Sequence, residues 1–142
     1  MSMIVAALIF VLLLAVSIAH FSWSVGGTWP IRDPVLLAKT VVGRPGVTRV
    51  PKLAALVIAI VVLAIGVFAL ALADHSAGDW WLTAIGVLLA IAFLGRGAVG
   101  YTAGWRARYS EEPFATLDRR NYSPLCLIIG AGFLILVIMR LI

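Results

Sequence analysis

A single cysteine, Cys126, stands in a chain of 142 residues. It excludes an intramolecular disulfide and any paired-thiol redox centre. The two histidines, His20 and His75, lie far from it and from each other, so no zinc-ligand spacing forms and neither metal nor cofactor is expected. Charge is scarce as well: 12% of the residues are charged and only six are acidic. None of the six falls at the centre of an apolar run, which argues against proton-coupled cation antiport. Alternation of apolar and polar residues is missing too, so a membrane β-barrel is not expected.

What is abundant is apolar surface. Hydrophobic residues make up 63% of the chain, and its mean hydropathy is +1.13. A soluble domain of this size has no means of hiding so much, so lipid is the expected solvent. A crossing helix needs about 20 mostly apolar residues. Four stretches qualify, at about 3–22, 51–73, 80–101 and 124–142. The expected fold is therefore all-α, a single domain forming a bundle of four transmembrane helices. The first stretch has no basic leader and exceeds the apolar core of a signal peptide, so it reads as a span.

The net charge of +5 would suggest nucleic acid in a soluble protein. Here the cations lie between apolar runs, so membrane lipids are the expected counterpart and nucleic acid is not. The first connection carries Arg32, Lys39, Arg44 and Arg49, with Lys52 at its edge. The third carries Arg106, Arg108, Arg119 and Arg120. The second, Asp74 to Asp79, has no Lys or Arg. Basic short loops stay in the cytoplasm, which predicts both termini outside. Arg140 opposes this weakly and, at a span end, can snorkel. A bis-histidine haem within one subunit is disfavoured, because this topology puts His75 opposite His20.

Both basic connections carry helix signals. Asp33-Pro34 is an N-cap followed by proline, and Gly43 suits the position after a helix, so Val35–Val42 is predicted as a short interfacial helix. Ser110 is the expected cap of a second, running through Asp118. Ser123-Pro124 repeats the cap-plus-proline signal at the start of span four, making Ser123 a helix cap.

Arg96 is the most informative residue. An ionisable side chain within an apolar span is a site hypothesis by default. Counting inward, His20 and Arg96 come to nearly the same depth, about 25 Å from the outer boundary, and Cys126 follows in the first turn of span four. Ser17, His20 and Ser24 form a polar ridge at helical spacing. Trp23, Trp29, Tyr101, Trp105, Tyr109 and Tyr122 fall near the same boundary. Each has two readings. The aromatic residues are an interfacial belt or the lining of a site. His20 hydrogen-bonds a neighbouring helix, or it contacts a ligand or moves a proton. Arg96 snorkels or pairs with Asp118 or a carbonyl, or it binds an anion. Cys126 reads as a packing residue. The candidate ligand-binding set is His20, Trp23, Trp29, Arg96, Tyr101, Asp118 and Tyr122. Gly86, Ala90, Gly97, Gly100 and Gly104 form a small-residue stripe for close helix packing, within the chain or against a second subunit.

Several local runs carry a family likeness: His20-Phe21-Ser22-Trp23 followed by Gly26-Gly27-Thr28-Trp29-Pro30, then Arg96-Gly97. Phe114-Ala115-Thr116-Leu117-Asp118 and Tyr122-Ser123-Pro124-Leu125-Cys126 complete it. Together they resemble a bacterial membrane family known as domain of unknown function 3995. The resemblance implies a small four-helix protein of the bacterial inner membrane and brings no activity with it. The residues leave three functions open. One is binding or transport of an anionic or amphipathic small molecule or lipid at the cytoplasmic leaflet. Another is an enzyme on a lipophilic substrate, with His20 as base and Arg96 as electrostatic stabiliser. The third is an accessory subunit, or a homo-oligomer, whose glycine stripe meets its partner.

Overall fold

The computed structural model describes residues 1–74 and 78–142; His75, and the haem argument that used it, lies outside the described residues. Among the described residues seven α-helices follow in order: α1 (Ser2–Ser24), α2 (Pro34–Val41), α3 (Lys52–Ala73), α4 (Trp80–Val99), α5 (Ala103–Arg108), α6 (Phe114–Leu117) and α7 (Ser123–Leu141). A π-helical turn, Asp118–Tyr122, joins α6 to α7, so the fourth span is one helix from Phe114 to Leu141. The four expected spans are present, and each is long and apolar enough to cross a membrane. The protein is a multi-pass four-helix membrane bundle.

The helices pack as two antiparallel pairs, α1 with α3 and α4 with α7, and α7 joins the pairs. Small residues set the first pairing. Ala55, Ala59, Gly66, Ala69 and Ala73 are buried along one face of α3, which lets α1 approach closely. That approach exposes the Ala59 carbonyl to the Ser17 hydroxyl, which donates to it at 2.8 Å. The second pairing rests on glycines of both helices. A Cβ on Gly86 would come within 2.9 Å of the Val137 side chain, and one on Gly97 within 2.9 Å of the Ser123 carbonyl oxygen. Phe133, Leu13, Leu72, Ile129 and Leu136 fill the centre, each under 2% exposed. The opposite faces, among them Ile4, Leu8, Leu53, Ile60, Leu88 and Ile128, are exposed apolar surface, as lipid-facing positions must be.

This arrangement gathers charge at one end. The first and third connections share it, with ten of the eleven Lys and Arg residues and four of the six acids, a balance of +6. The other end holds Arg140 against Asp74 and Asp79, a balance of −1. Arg140 donates to the carbonyls of Leu72 (3.2 Å) and Asp74 (2.9 Å). It therefore caps the C-terminus of α3, where a cation meets unpaired carbonyls and the negative end of the helix dipole.

The first short helix forms as its signals predict. Asp33 accepts from the N–H groups of Val35 and Leu36, Pro34 opens α2, and Gly43 follows it at φ +69°. A left-handed residue with no side chain is required there twice over, because a Cβ on Gly43 would run into the Phe114 ring. The third connection departs from expectation. Ser110 caps nothing: Thr102 caps α5 by accepting from the Trp105 N–H, and the following helix starts at Phe114 rather than near Ser110. Ser123 is not a cap either. The helix has already run for about two turns, from Phe114 to Tyr122, before reaching it, and Ser123 is fully buried. Gly100 and Gly104 are no helical pair, because α4 ends at Val99 with Gly100 as its C-cap, and Gly104 lies on α5 with nothing within 4 Å of its would-be Cβ.

Candidate functional site

Two clusters of polar and aromatic side chains stand at the basic end. The first is built around Arg96, in the last turn of α4. Its Nη2 donates to Asp118 Oδ1 at 2.6 Å and its Nη1 to the Ser123 hydroxyl at 3.4 Å. The guanidinium lies 4.3 Å from the centre of the Trp105 ring, a cation–π distance. The Trp105 indole N–H closes the circuit on Asp118 Oδ2 at 2.9 Å. Asp118 is 2% exposed, so a carboxylate there needs both oxygens occupied, and both are.

The π-turn makes this convergence possible. In an α-helix, residues five apart point about 140° apart around the axis. Asp118 and Ser123 are five apart, and the Ser123 N–H donates to the Asp118 carbonyl in the i→i+5 pattern. The wider turn swings both side chains toward α4. Gly97 and Gly100 leave the room they need: a Cβ on Gly100 would overlap the Ser123 hydroxyl and approach Asp118 Oδ2 to 3.0 Å.

From Trp105 a ladder of rings leads outward. Tyr109 stacks on Trp105 at 4.2 Å between centroids, Phe114 follows at 5.9 Å, and Tyr122 at 5.6 Å. The Tyr122 hydroxyl donates to the Thr40 carbonyl on α2 at 3.1 Å. Arg44 lies over Tyr109 at 5.3 Å and donates to its hydroxyl at 3.2 Å. Lys39 pairs with Glu111 at 3.6 Å. The two basic connections are thus laced together through aromatic faces and a few polar contacts. Tyr101 stands at the margin, exposed, its hydroxyl donating to the Arg119 carbonyl.

The second cluster lies at the end of α1. His20 and Trp23 rings are 4.8 Å apart, and His20 Nδ1 donates to the Val16 carbonyl at 2.9 Å. Trp23 is buried against Leu37 and Ala55, and its indole N–H donates to the Trp29 carbonyl at 2.7 Å. The Trp29 side chain itself is 70% exposed. Gly26, at φ +93°, and Gly27 turn the chain tightly after α1. Beside them opens a cleft of about 200 Å³. Trp23, Leu37 and Val50 contribute apolar lining; Thr28, Arg49 and Lys52 contribute polar lining. Neither Arg49 nor Lys52 has an ion-pair partner among the described residues. The Lys52 amine stands near Gly26, 3.5 Å from where a Cβ would sit.

Of the residues singled out in the sequence, the structure joins Arg96 with Asp118 and His20 with Trp23. No hydrogen bond, ion pair or ring contact links these two groups among the described residues. Cys126 is half-buried on α7 and unpaired with another cysteine. Gly86 and Gly97 pack on α7 of the same chain, and Gly100 beside Asp118 and Ser123, so these three are filled from within, while Gly104 faces open space. Trp105, Ser123 and Thr40 carry contacts that sequence reasoning did not assign. Arg49 and Lys52 were seen only as loop charges.

A family model described as protein of unknown function (DUF3995) matches residues 13–133, which contain both clusters. No curated protein matches the chain, and no solved structure does.

Proposed function

The chain belongs to this family of unknown function, and we propose that it binds an anionic amphiphile at the cytoplasmic leaflet of the bacterial inner membrane. The cleft beside Trp23 is the binding site in this reading. The observation that carries it is the pair of unpartnered cations, Arg49 and Lys52, at the rim of an apolar-walled cleft. Both residues flank the start of α3, where a span meets the headgroup layer. Clusters of cations at that level attract anionic lipid, by about 1 kcal/mol for each. The surplus of basic residues at this end favours the cytoplasmic side.

The Arg96 cluster takes a different role. Its guanidinium is neutralised by Asp118 and covered by Trp105, which leaves it poorly disposed to attract a second anion. It serves to hold the third connection on α4. The enzyme reading gains no support at His20, whose ring contact is Trp23 and whose hydrogen bond is local.

Native mass spectrometry of the full chain, gently extracted from its own membrane, tests the proposal. A discrete lipid-like adduct is expected on the wild type and on Arg96→Lys, and is expected to disappear from Arg49→Gln/Lys52→Gln. An adduct retained by the double variant and lost with Arg96→Lys would move the site to the other cluster and overturn the assignment.

A further inference from the structure

The cleft is specific about charge as well as place. Two cations line it: Arg49, two residues before Pro51, and Lys52, the first residue of α3. The nearest acid in sequence, Asp33, is committed to the first turn of α2, where its carboxylate accepts two backbone N–H groups. Lys39 takes Glu111, and Arg96 takes Asp118. The rim of the cleft therefore holds two positive charges without an acidic partner among the described residues.

One carboxylate or one phosphodiester supplies a single negative charge. A phosphate monoester supplies nearly two at neutral pH, because its second ionisation lies near pH 6, and it presents three acceptor oxygens. Arg offers a planar donor fork and Lys a mobile point charge, a complementary pair for such a group. Thr28 adds a hydroxyl to the lining. The apolar lining is Trp23, Leu37 and Val50, of which Trp23 and Leu37 are buried in one cluster with Ala55 of α3. A free phosphate would leave these walls uncovered. An apolar tail would cover them and continue into the bilayer.

Resting on the cleft assigned above, we propose that the ligand is a phosphate monoester on an apolar tail, selected over phosphodiester lipids by its second negative charge. Its phosphate sits between Arg49 and Lys52, and the first part of its tail lies on Trp23. Binding involves no bond making or breaking.

The test uses the purified full chain in a non-ionic detergent. Phosphatidic acid and phosphatidylglycerol with identical acyl chains are titrated against it, and bound lipid is read by native mass spectrometry. At pH 8 phosphatidic acid is expected to bind about fivefold to tenfold more tightly, the effect of one further charge at cations of this kind. At pH 5 the monoester carries a single charge and the preference is expected to vanish. Lys52→Gln is expected to remove the preference at pH 8 while Lys52→Arg keeps it; Arg49 and Lys52 are both exposed, so substitutions there are expected to preserve folding. Equal binding of the two lipids at pH 8, with loss of both in Arg49→Gln/Lys52→Gln, would overturn the monoester proposal and leave the cleft as an anionic-lipid site. Binding of neither lipid would overturn the cleft reading itself. Displacement of bound phosphatidic acid by inorganic phosphate would show that the phosphate alone is recognised and would overturn the role of the tail.

Discussion

Asp118 is the residue on which the third connection depends. Its carboxylate is buried, and its two oxygens hold Arg96 from α4 and Trp105 from α5. Removing one member of a buried pair strands the other, which costs about 3–5 kcal/mol. Here the cost falls at the lower end, because the Arg96 side chain remains 31% exposed and can turn to the headgroups. Asp118→Ala is therefore expected to lower stability by about 3 kcal/mol, read as a lower midpoint in detergent thermal melts. Arg96→Met/Asp118→Leu is expected to recover most of that loss, since no unpaired charge is left. If the double variant were as unstable as Asp118→Ala, the network would be contributing something beyond mutual neutralisation. At this scale the sequence was legible in part. A charge inside an apolar span demands a partner, and Asp118 was one of the few acids on offer. Trp105 carried no comparable signal, because an aromatic residue at a membrane boundary is ordinarily belt.

At the level of elements, spans were legible and their termini less so. Apolar runs of the required length declare themselves, and Asp33-Pro34 with Gly43 marked α2 nearly to the residue. The Ser123-Pro124 pair carried the same signal and meant something else. Proline in a first turn and proline after a π-turn look alike in sequence, because both lack a competing N–H demand. The π-turn itself has no sequence signature, yet it decides the site: it turns Asp118 and Ser123, five residues apart, onto Arg96 together. Deleting Asn121, the exposed third member of the turn's Arg119-Arg120-Asn121 run, is expected to restore regular α-helix. Each residue before the deletion then rotates by about 100° relative to α7. Asp118 leaves Arg96, and the Tyr122–Thr40 link to α2 is strained with it. Circular dichroism should show unchanged helix content beside a melting midpoint depressed as far as that of Asp118→Ala. Retention of the wild-type midpoint would mean that the wider turn is incidental to the network.

For the whole molecule, the separation of charge matters more than any one contact. A balance of +6 at one end and −1 at the other, across a bundle with apolar sides, is a strong orienting signal. It was readable from loop composition alone, whereas the cleft was not, since it needs the Gly26-Gly27 turn, α2 and the start of α3 folded onto Trp23. Orientation also decides which lipids the cleft can meet: the rim cations face the anionic leaflet only if the basic end is cytoplasmic. Single cysteines in a Cys126→Ser background resolve this. With a membrane-impermeant thiol reagent on intact cells, Gly78→Cys is expected to label at once, because it stands exposed between α3 and α4 at the acidic end. Arg108→Cys, exposed at the end of α5, is expected to label only after permeabilisation. The reverse pattern would place Arg49 and Lys52 outside. An anionic amphiphile would then have to reach the cleft from the outer leaflet, and the ligand search would start there.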